Sequence, residues 1–471
     1  MNYILATMLL FSAGALSAKN APKYVFYFIG DGMGLNQVLG AEIYQANADG
    51  KTLEYDRFAF SEFPVNTYAT SKSASTYITD SSAAGTALAT GHKTVNSMLG
   101  VKADGVTPVN SIAYYANKAG YKVGIASSVG VNHATPASFY GHNKSRSAYY
   151  ELGLQLTESD FDFFGAGGFL GEVKDSAEKP SLANVARKAG YTIAWGKEQY
   201  EQKKGGAEKM ILFQHDSTAT SLPYYVDKKE SDLTLSQITE SAIEFLSKDN
   251  KKGFFLMVEG GMIDSGGHSN DVVVAYGETI AFAEAIDVAL EFYRQHPKET
   301  LIVVTADHET GGLALGTAGV YDLNYQYLHC QKGSKDAISR ALGALRIQNN
   351  NNVSWEQVKE FLKENFGFWD KIQPTMKQEI KLMEAYDASF SRIAAYGRDG
   401  RIVVSGNEPV VQAAVDVLYE QALVSFSSGS HTAVFVPVYA IGVGADAFVR
   451  GGLDNTDLPK IIAELAGYPI E

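Results

Sequence analysis

The stretch Lys23–Gly34, KYVFYFIGDGMG, runs through six apolar or aromatic residues without a polar break and then turns on glycines around Asp31. Without alternation such a run has no solvent face, so it reads as a strand buried on both sides, as in a parallel sheet covered by helices. Similar runs recur at Tyr121–Ala126 (YKVGIA), Phe254–Val258 (FFLMV), Leu301–Thr305 (LIVVT) and Val438–Ile441 (VYAI). Each ends in a polar or glycine-rich turn, and a helical pattern usually follows. The alternation predicts an α/β fold with a doubly wound, mostly parallel central sheet flanked by helices.

The region from about Gly312 to Gly429 reads differently. Ser354-Trp355-Glu356-Gln357 is a capping-box pattern opening an amphipathic helix, and Thr375-Met376-Lys377-Gln378 repeats it. A further helix is expected from Pro409 towards Phe426, with a turn and strand over Gly397–Val404. The chain therefore divides into a core over 19–312, a large, mainly helical insertion over 313–429, and a C-terminal strand and helix over 430–471 that complete the core.

Of the 471 residues, 45% are hydrophobic and 20% charged, ordinary values for a soluble globular protein. The net charge of −13 argues against a nucleic-acid binder, which needs a basic face. An acidic protein that handles an anion needs a local positive source. Residues 1–18, MNYILATMLLFSAGALSA, read as a signal peptide cleaved after Ser17 or Ala18, which places the mature chain in the periplasm or the medium. The alternative, a membrane anchor, is barely long enough to span, and no later segment is apolar enough to cross. The single cysteine, Cys330, rules out an internal disulfide and reads as a buried filler.

In an open α/β sheet, ligands bind beyond the carboxyl ends of the strands. Those ends here deliver Asp31, then His133 and Thr135, then Glu259, Asp264 and His268, then Asp307 and His308. Each has an ordinary explanation alone: Asp31 a turn residue, Asp264 and His268 a solvated helix pair, His133 a loop residue. Their convergence on one edge does not. So many carboxylates repel one another unless cations sit between them. Nitrogen and oxygen ligands in threes suit catalytic zinc, and an oxygen-only set suits magnesium. Elsewhere Ile78–Gly91, ITDSSAAGTALATG, starts a helix of very small residues behind Asp80. Helix N-termini receive anions well, so Ser81 and Ser82 are each a cap or a nucleophile.

The order GDGMG, TDSSAAGTALATG, HATPASFYGHNKSR, VEGGMIDSGGH, TADHETGG and SGSHT closely resembles the alkaline phosphatases. The resemblance implies hydrolysis of small phosphate monoesters with two Zn2+ and one Mg2+ per chain. It gives Asp264, His268 and His431 to the first zinc, and Asp31, Asp307 and His308 to the second, completed by Ser81. Asp31, Thr135 and Glu259 fall to magnesium. It makes Ser81 the nucleophile that forms a phosphoserine, with Ser82 packing the helix, and Arg146 the planar clamp on two phosphoryl oxygens. Asp80, His133 and Ser265 stand behind these residues. His133 replaces the aspartate some relatives carry two residues before the magnesium threonine. Ser265 stands where Lys, His or Trp is common, which implies weaker phosphate retention and puts in doubt how tightly magnesium is held. Family habit also implies a homodimer, while the charge and the apolar runs lead us to expect neither nucleic-acid binding nor a membrane anchor in the mature chain. The alternatives are a phosphodiesterase of the same superfamily and a non-catalytic phosphate-binding protein; a CxPSR-like sulfatase motif is absent.

Overall fold

In the computed structural model, which describes residues 21–51, 53–176, 178–390, 395–396, 402–403 and 407–470, the opening stretch forms strand β1 (Tyr24–Gly30) in the middle of a ten-stranded sheet. The expected signal peptide over 1–18 lies outside these residues. The other strands are β2 (Val65–Thr70), β3 (Lys122–Ser127), β4 (Phe163–Ala166), β5 (Tyr191–Trp195), β6 (Lys209–Phe213), β7 (Phe254–Gly260), β8 (Thr300–Ala306) and two C-terminal strands, Val436–Gly442 and Leu453–Asp454. Across the sheet the order is Leu453–Asp454, β2, Val436–Gly442, β8, β1, β7, β3, β4, β6, β5. Only Val436–Gly442 runs antiparallel to its neighbours, β8 and β2.

Strands β1, β7 and β8 are buried at every residue, as their unbroken apolar runs require. Their register sets Gly30 level with both Gly260 and Ala306. The next residues on β1 and β8 are Asp31 and Asp307, and Glu259 pairs with Ile29 one step before. One parallel register thus delivers three carboxylates to one edge.

The region expected to be an insertion carries helices Lys335–Gln348, Trp355–Phe366, Met376–Phe390 and Pro409–Ala422. Both expected capping boxes form, with reciprocal bonds between Ser354 and Gln357 and between Thr375 and Gln378. The helix from Pro409 stops short of Phe426. It ends at Ala422, Leu423 adopts φ 62°, and Val424–Phe426 pairs as a short strand with Leu313–Leu315. A β-branched and an aromatic residue there find a pleated partner, which outweighs continuation of the helix. Two residues of the turn and strand expected over Gly397–Val404 pair, Ile402–Val403 with Ala395–Tyr396, and the rest lies outside the described residues. Cys330 is buried, as expected. No helix among the described residues is long and apolar enough to cross a membrane.

Candidate active site

The small-residue helix is Ser81–Thr90, buried along its whole length. A Cβ added to Gly85 would lie 2.9 Å from Ser138 Oγ and 3.2 Å from Thr135 Cα, so the small residues let this helix press against the segment that carries Thr135. Asp80 is its N-cap: Oδ1 accepts from the Ala83 N–H at 3.0 Å. Its other oxygen, Oδ2, accepts from Ser82 Oγ at 2.8 Å, from the Ser97 N–H at 3.0 Å and from Arg146 Nη1 at 3.1 Å. Ser82 is thereby turned back onto the cap. Ser81 points the other way, its Oγ 3.3 Å from His308 Nε2.

His308 is held among carboxylates. Its Nε2 lies 3.4 Å from Asp31 Oδ1 and 3.3 Å from Asp307 Oδ2. Asp307 Oδ1 accepts from the N–H groups of Gly32 at 3.1 Å and His308 at 2.8 Å. Gly32 has φ +76°, and a Cβ there would sit 2.7 Å from Asp264 Cα, so the turn around Asp31 needs a glycine twice over.

Asp264 and His268 lie on the helix Met262–His268, and His431 arrives on a short strand, His431–Thr432, paired with Glu309–Thr310. His268 Nε2 is 3.3 Å and His431 Nε2 3.6 Å from the Asp264 carboxylate. The opposite ring nitrogens face backbone carbonyls, His268 Nδ1 that of Gly429 and His431 Nδ1 that of Thr79, each at 2.8 Å. Carbonyls only accept, so both Nδ1 atoms carry hydrogen. A neutral ring then turns its Nε2 lone pair towards the carboxylate, the orientation found at metal-bound histidines.

A third grouping joins Asp31, Glu259 and His133, with ligand atoms within 4.8 Å of one another. Thr135 Oγ1 and Glu259 Oε1 are buried there without a hydrogen-bond partner, while Glu259 Oε2 accepts from Ser127 Oγ. His133 reaches Arg146 Nη2 with Nε2 at 3.1 Å, and its Nδ1 is buried and unpartnered. The ring expected behind the site therefore stands among its carboxylates. The hydroxyl of Ser265 faces Met262 Sδ at 3.9 Å.

Electrostatics at this edge are severe. Burial, then the neighbouring carboxylates, pushes Asp31 and Asp307 well above the usual carboxylate range. Burial raises Glu259 to about 7. Burial also presses on Asp264, but His268, His308 and His431 outweigh it and hold that carboxyl below its ordinary value. Bonding to Asp264 raises His268 to about 9, while burial drives His308 well down. The atoms left without partners include both oxygens of Asp31, Asp307 Oδ2, Glu259 Oε1, Thr135 Oγ1 and His133 Nδ1. Buried orphans of this kind are costly, and cations satisfy the oxygens among them together. The donor set fits metal ions.

Three supporting residues escaped the sequence reading. Glu309 accepts from Gln37 Nε2 at 2.8 Å, from the Gly312 and Leu313 N–H groups, and from Thr432 Oγ1, fastening the strand pair that carries His431. Thr310 Oγ1 bridges His308 Nδ1 and Asp264. Ser127 holds Glu259. Glu309 and Thr310 stand inside TADHETGG, the one signal that pointed to them.

The sequence matches the alkaline phosphatase family over residues 22–162 and 166–468. It is 30% identical over 466 residues to alkaline phosphatase 4 of Bacillus subtilis (strain 168), covering 95% of this chain and 90% of that protein. The fold is similar to that of the cold-active alkaline phosphatase of a psychrophilic Shewanella species, with a TM-score of 0.78, 30% identity, and coverage of 94% of this chain and 99% of that one. It is also similar to the Thermus thermophilus alkaline phosphatase, with a TM-score of 0.75, 26% identity, and coverage of 98% and 96%. A match that runs through every strand end carrying these carboxylates and imidazoles places the chain in the alkaline phosphatase family, as a phosphomonoesterase.

Proposed function

We propose that phosphate monoesters are hydrolysed here through a phosphoserine on Ser81. The observation that carries this reading is Ser81 Oγ standing 3.3 Å from His308 Nε2 at the N-terminus of a buried helix, while Asp80 turns Ser82 away. Asp264, His268 and His431 would hold one zinc, and Asp31, Asp307 and His308 a second, completed by Ser81. Bound there, zinc supplies Lewis acidity and lowers the pKa of coordinated oxygens.

The chain's own contribution follows from where its groups stand. Arg146 presents a planar fork whose position is set on one side by Asp80 and on the other by His133, so it meets a phosphoryl group already oriented. The helix dipole at Ser81 adds positive potential where charge accumulates. Ser81 Oγ, its proton lost to solvent, attacks phosphorus in line as the ester P–O bond breaks. The alkoxide leaves towards Asp264, His268 and His431 and takes a proton from solvent. Water entering from that vacated side then bonds to phosphorus as the Oγ–P bond breaks, its proton returning to Ser81.

Asp31, Thr135 and Glu259 are the proposed magnesium ligands. His133 stands beside them, its Nε2 against Arg146 Nη2 at 3.1 Å. The mature chain is further proposed to be exported and to act as a homodimer.

The test compares p-nitrophenyl phosphate with bis-p-nitrophenyl phosphate, with and without EDTA. The monoester should turn over faster, and chelation should abolish activity until zinc and magnesium are restored. Faster diester turnover, or full activity in verified metal-free protein, would overturn the reading.

A further inference from the structure

The helix bearing Asp264 and His268 ends at His268, and only Ser269, Asn270 and Asp271 separate it from the long helix Val272–Gln295. This link is gripped from outside the sheet. Lys335, at the start of an insertion helix and 5% exposed, donates from Nζ to the Ser269 carbonyl at 2.5 Å and to Gln412 Oε1 at 2.7 Å. Asp271, 1% exposed, accepts from the Lys335 backbone N–H at 2.7 Å, from Gln331 Nε2 at 3.0 Å and from Tyr419 Oη at 3.0 Å. Tyr419 Oη in turn accepts from the Val272 N–H at 2.8 Å. On the other side, the Asp271 N–H donates to the Gly266 carbonyl at 2.9 Å, inside the helix that carries the ligands.

A buried ammonium and a buried carboxylate are expensive and persist only where every bond is made. Apolar residues would have closed this junction at lower cost. What the polar junction adds is direction: Lys335 fixes a carbonyl one residue beyond His268, and Asp271 fixes the turn that follows. His268, exposed at 44% of its side chain, has its Nδ1 against the Gly429 carbonyl, which lies shortly after the insertion's last helix. The insertion thus holds the His268 end of the ligand set.

We infer that Lys335, acting with Asp271 and Tyr419, is a positioning residue that sets the geometry of the Asp264–His268–His431 metal site from within the insertion. The inference rests on the reading of those three residues as zinc ligands. Support one layer removed from a metal is worth 10–100-fold in affinity at directly bonded positions, so about tenfold is expected through the Ser269 carbonyl.

The experiment titrates zinc against a competing chelator and records the visible spectrum of the cobalt-substituted enzyme, for wild type, Lys335→Met and Tyr419→Phe. Lys381→Met is the control, since that partly exposed lysine of the same insertion pairs with Asp416 and Glu420. Both test variants should bind zinc about tenfold more weakly, shift the cobalt spectrum, and at saturating zinc lose kcat more than KM. The control should match wild type. Tyr419→Phe keeps its volume and decides the matter if Lys335→Met fails to fold. Wild-type affinity and an unchanged cobalt spectrum in the folded variants, with only a lowered Tm, would overturn the inference. Absence of zinc at this site in wild type would instead overturn the ligand reading, and is seen in a separate arm.

Discussion

One carboxylate oxygen, Asp80 Oδ2, lies 3.1 Å from Arg146 Nη1 and 2.8 Å from Ser82 Oγ, so a single residue holds the proposed phosphate clamp and turns the second serine back onto the helix cap. Arg146→Ala should weaken binding of both substrate and inorganic phosphate while leaving turnover measurable. A lost hydrogen bond to a charged group costs about 1.5–3 kcal/mol, or roughly 10–150-fold in the phosphate inhibition constant. Steady-state kinetics with phosphate as inhibitor checks this. Unchanged constants would take Arg146 out of the site.

The Ser265 hydroxyl packs near Met262 on the helix that carries Asp264 and His268. A longer cationic side chain from this position should reach the bound phosphate dianion, directly or through water. Ser265→Lys is therefore expected to strengthen phosphate inhibition and slow product release. Inhibition no stronger than wild type would show that position 265 does not face the pocket.

Stability of metal-stripped protein should fall as pH rises above about 6.5. Burial raises Asp31, Asp307 and Glu259, the last to about 7, and bonding to Asp264 raises His268 to about 9. Each group then binds more protons folded than unfolded, and its contribution is lost as pH climbs through the folded value. Below an ordinary histidine pKa the trend is offset, because burial lowers His308 and also His133, the latter to about 4, and these favour the fold as pH rises to that point. Above it those two are neutral and the offset ends. Bound zinc should remove the slope, since it takes the place of the protons. Thermal melts from pH 6.5 to 9, with and without zinc, read this directly. A Tm that rises across that range in stripped protein would contradict it.

The central sheet was legible because β1, β7 and β8 are buried on both faces and carry no polar interruption. Strands β4, β5 and β6 were not, being only 4, 5 and 5 residues long and separated by helices of only 7 and 8 residues. Strand β2 alternates exposed and buried residues beside the antiparallel Val436–Gly442, a pattern unlike the runs that defined the rest. The site was legible at strand ends, where register alone brings Asp31, Glu259 and Asp307 together. It was less so for His133: the sequence marks its position but not that its ring joins Asp31 and Glu259, because that depends on how the short helix Ala134–Ala137 packs beneath Ser81–Thr90.

The most direct test of the chemistry is to trap the phosphoenzyme at low pH and map the labelled peptide. Ser81 and Ser82 are adjacent, yet one faces His308 Nε2 at 3.3 Å and the other donates to Asp80 at 2.8 Å. The label should fall on Ser81, Ser81→Ala should form no phosphoserine and lose most activity, and Ser82→Ala should stay close to wild type. Phosphate on Ser82, or a fully active Ser81→Ala, would contradict the assignment.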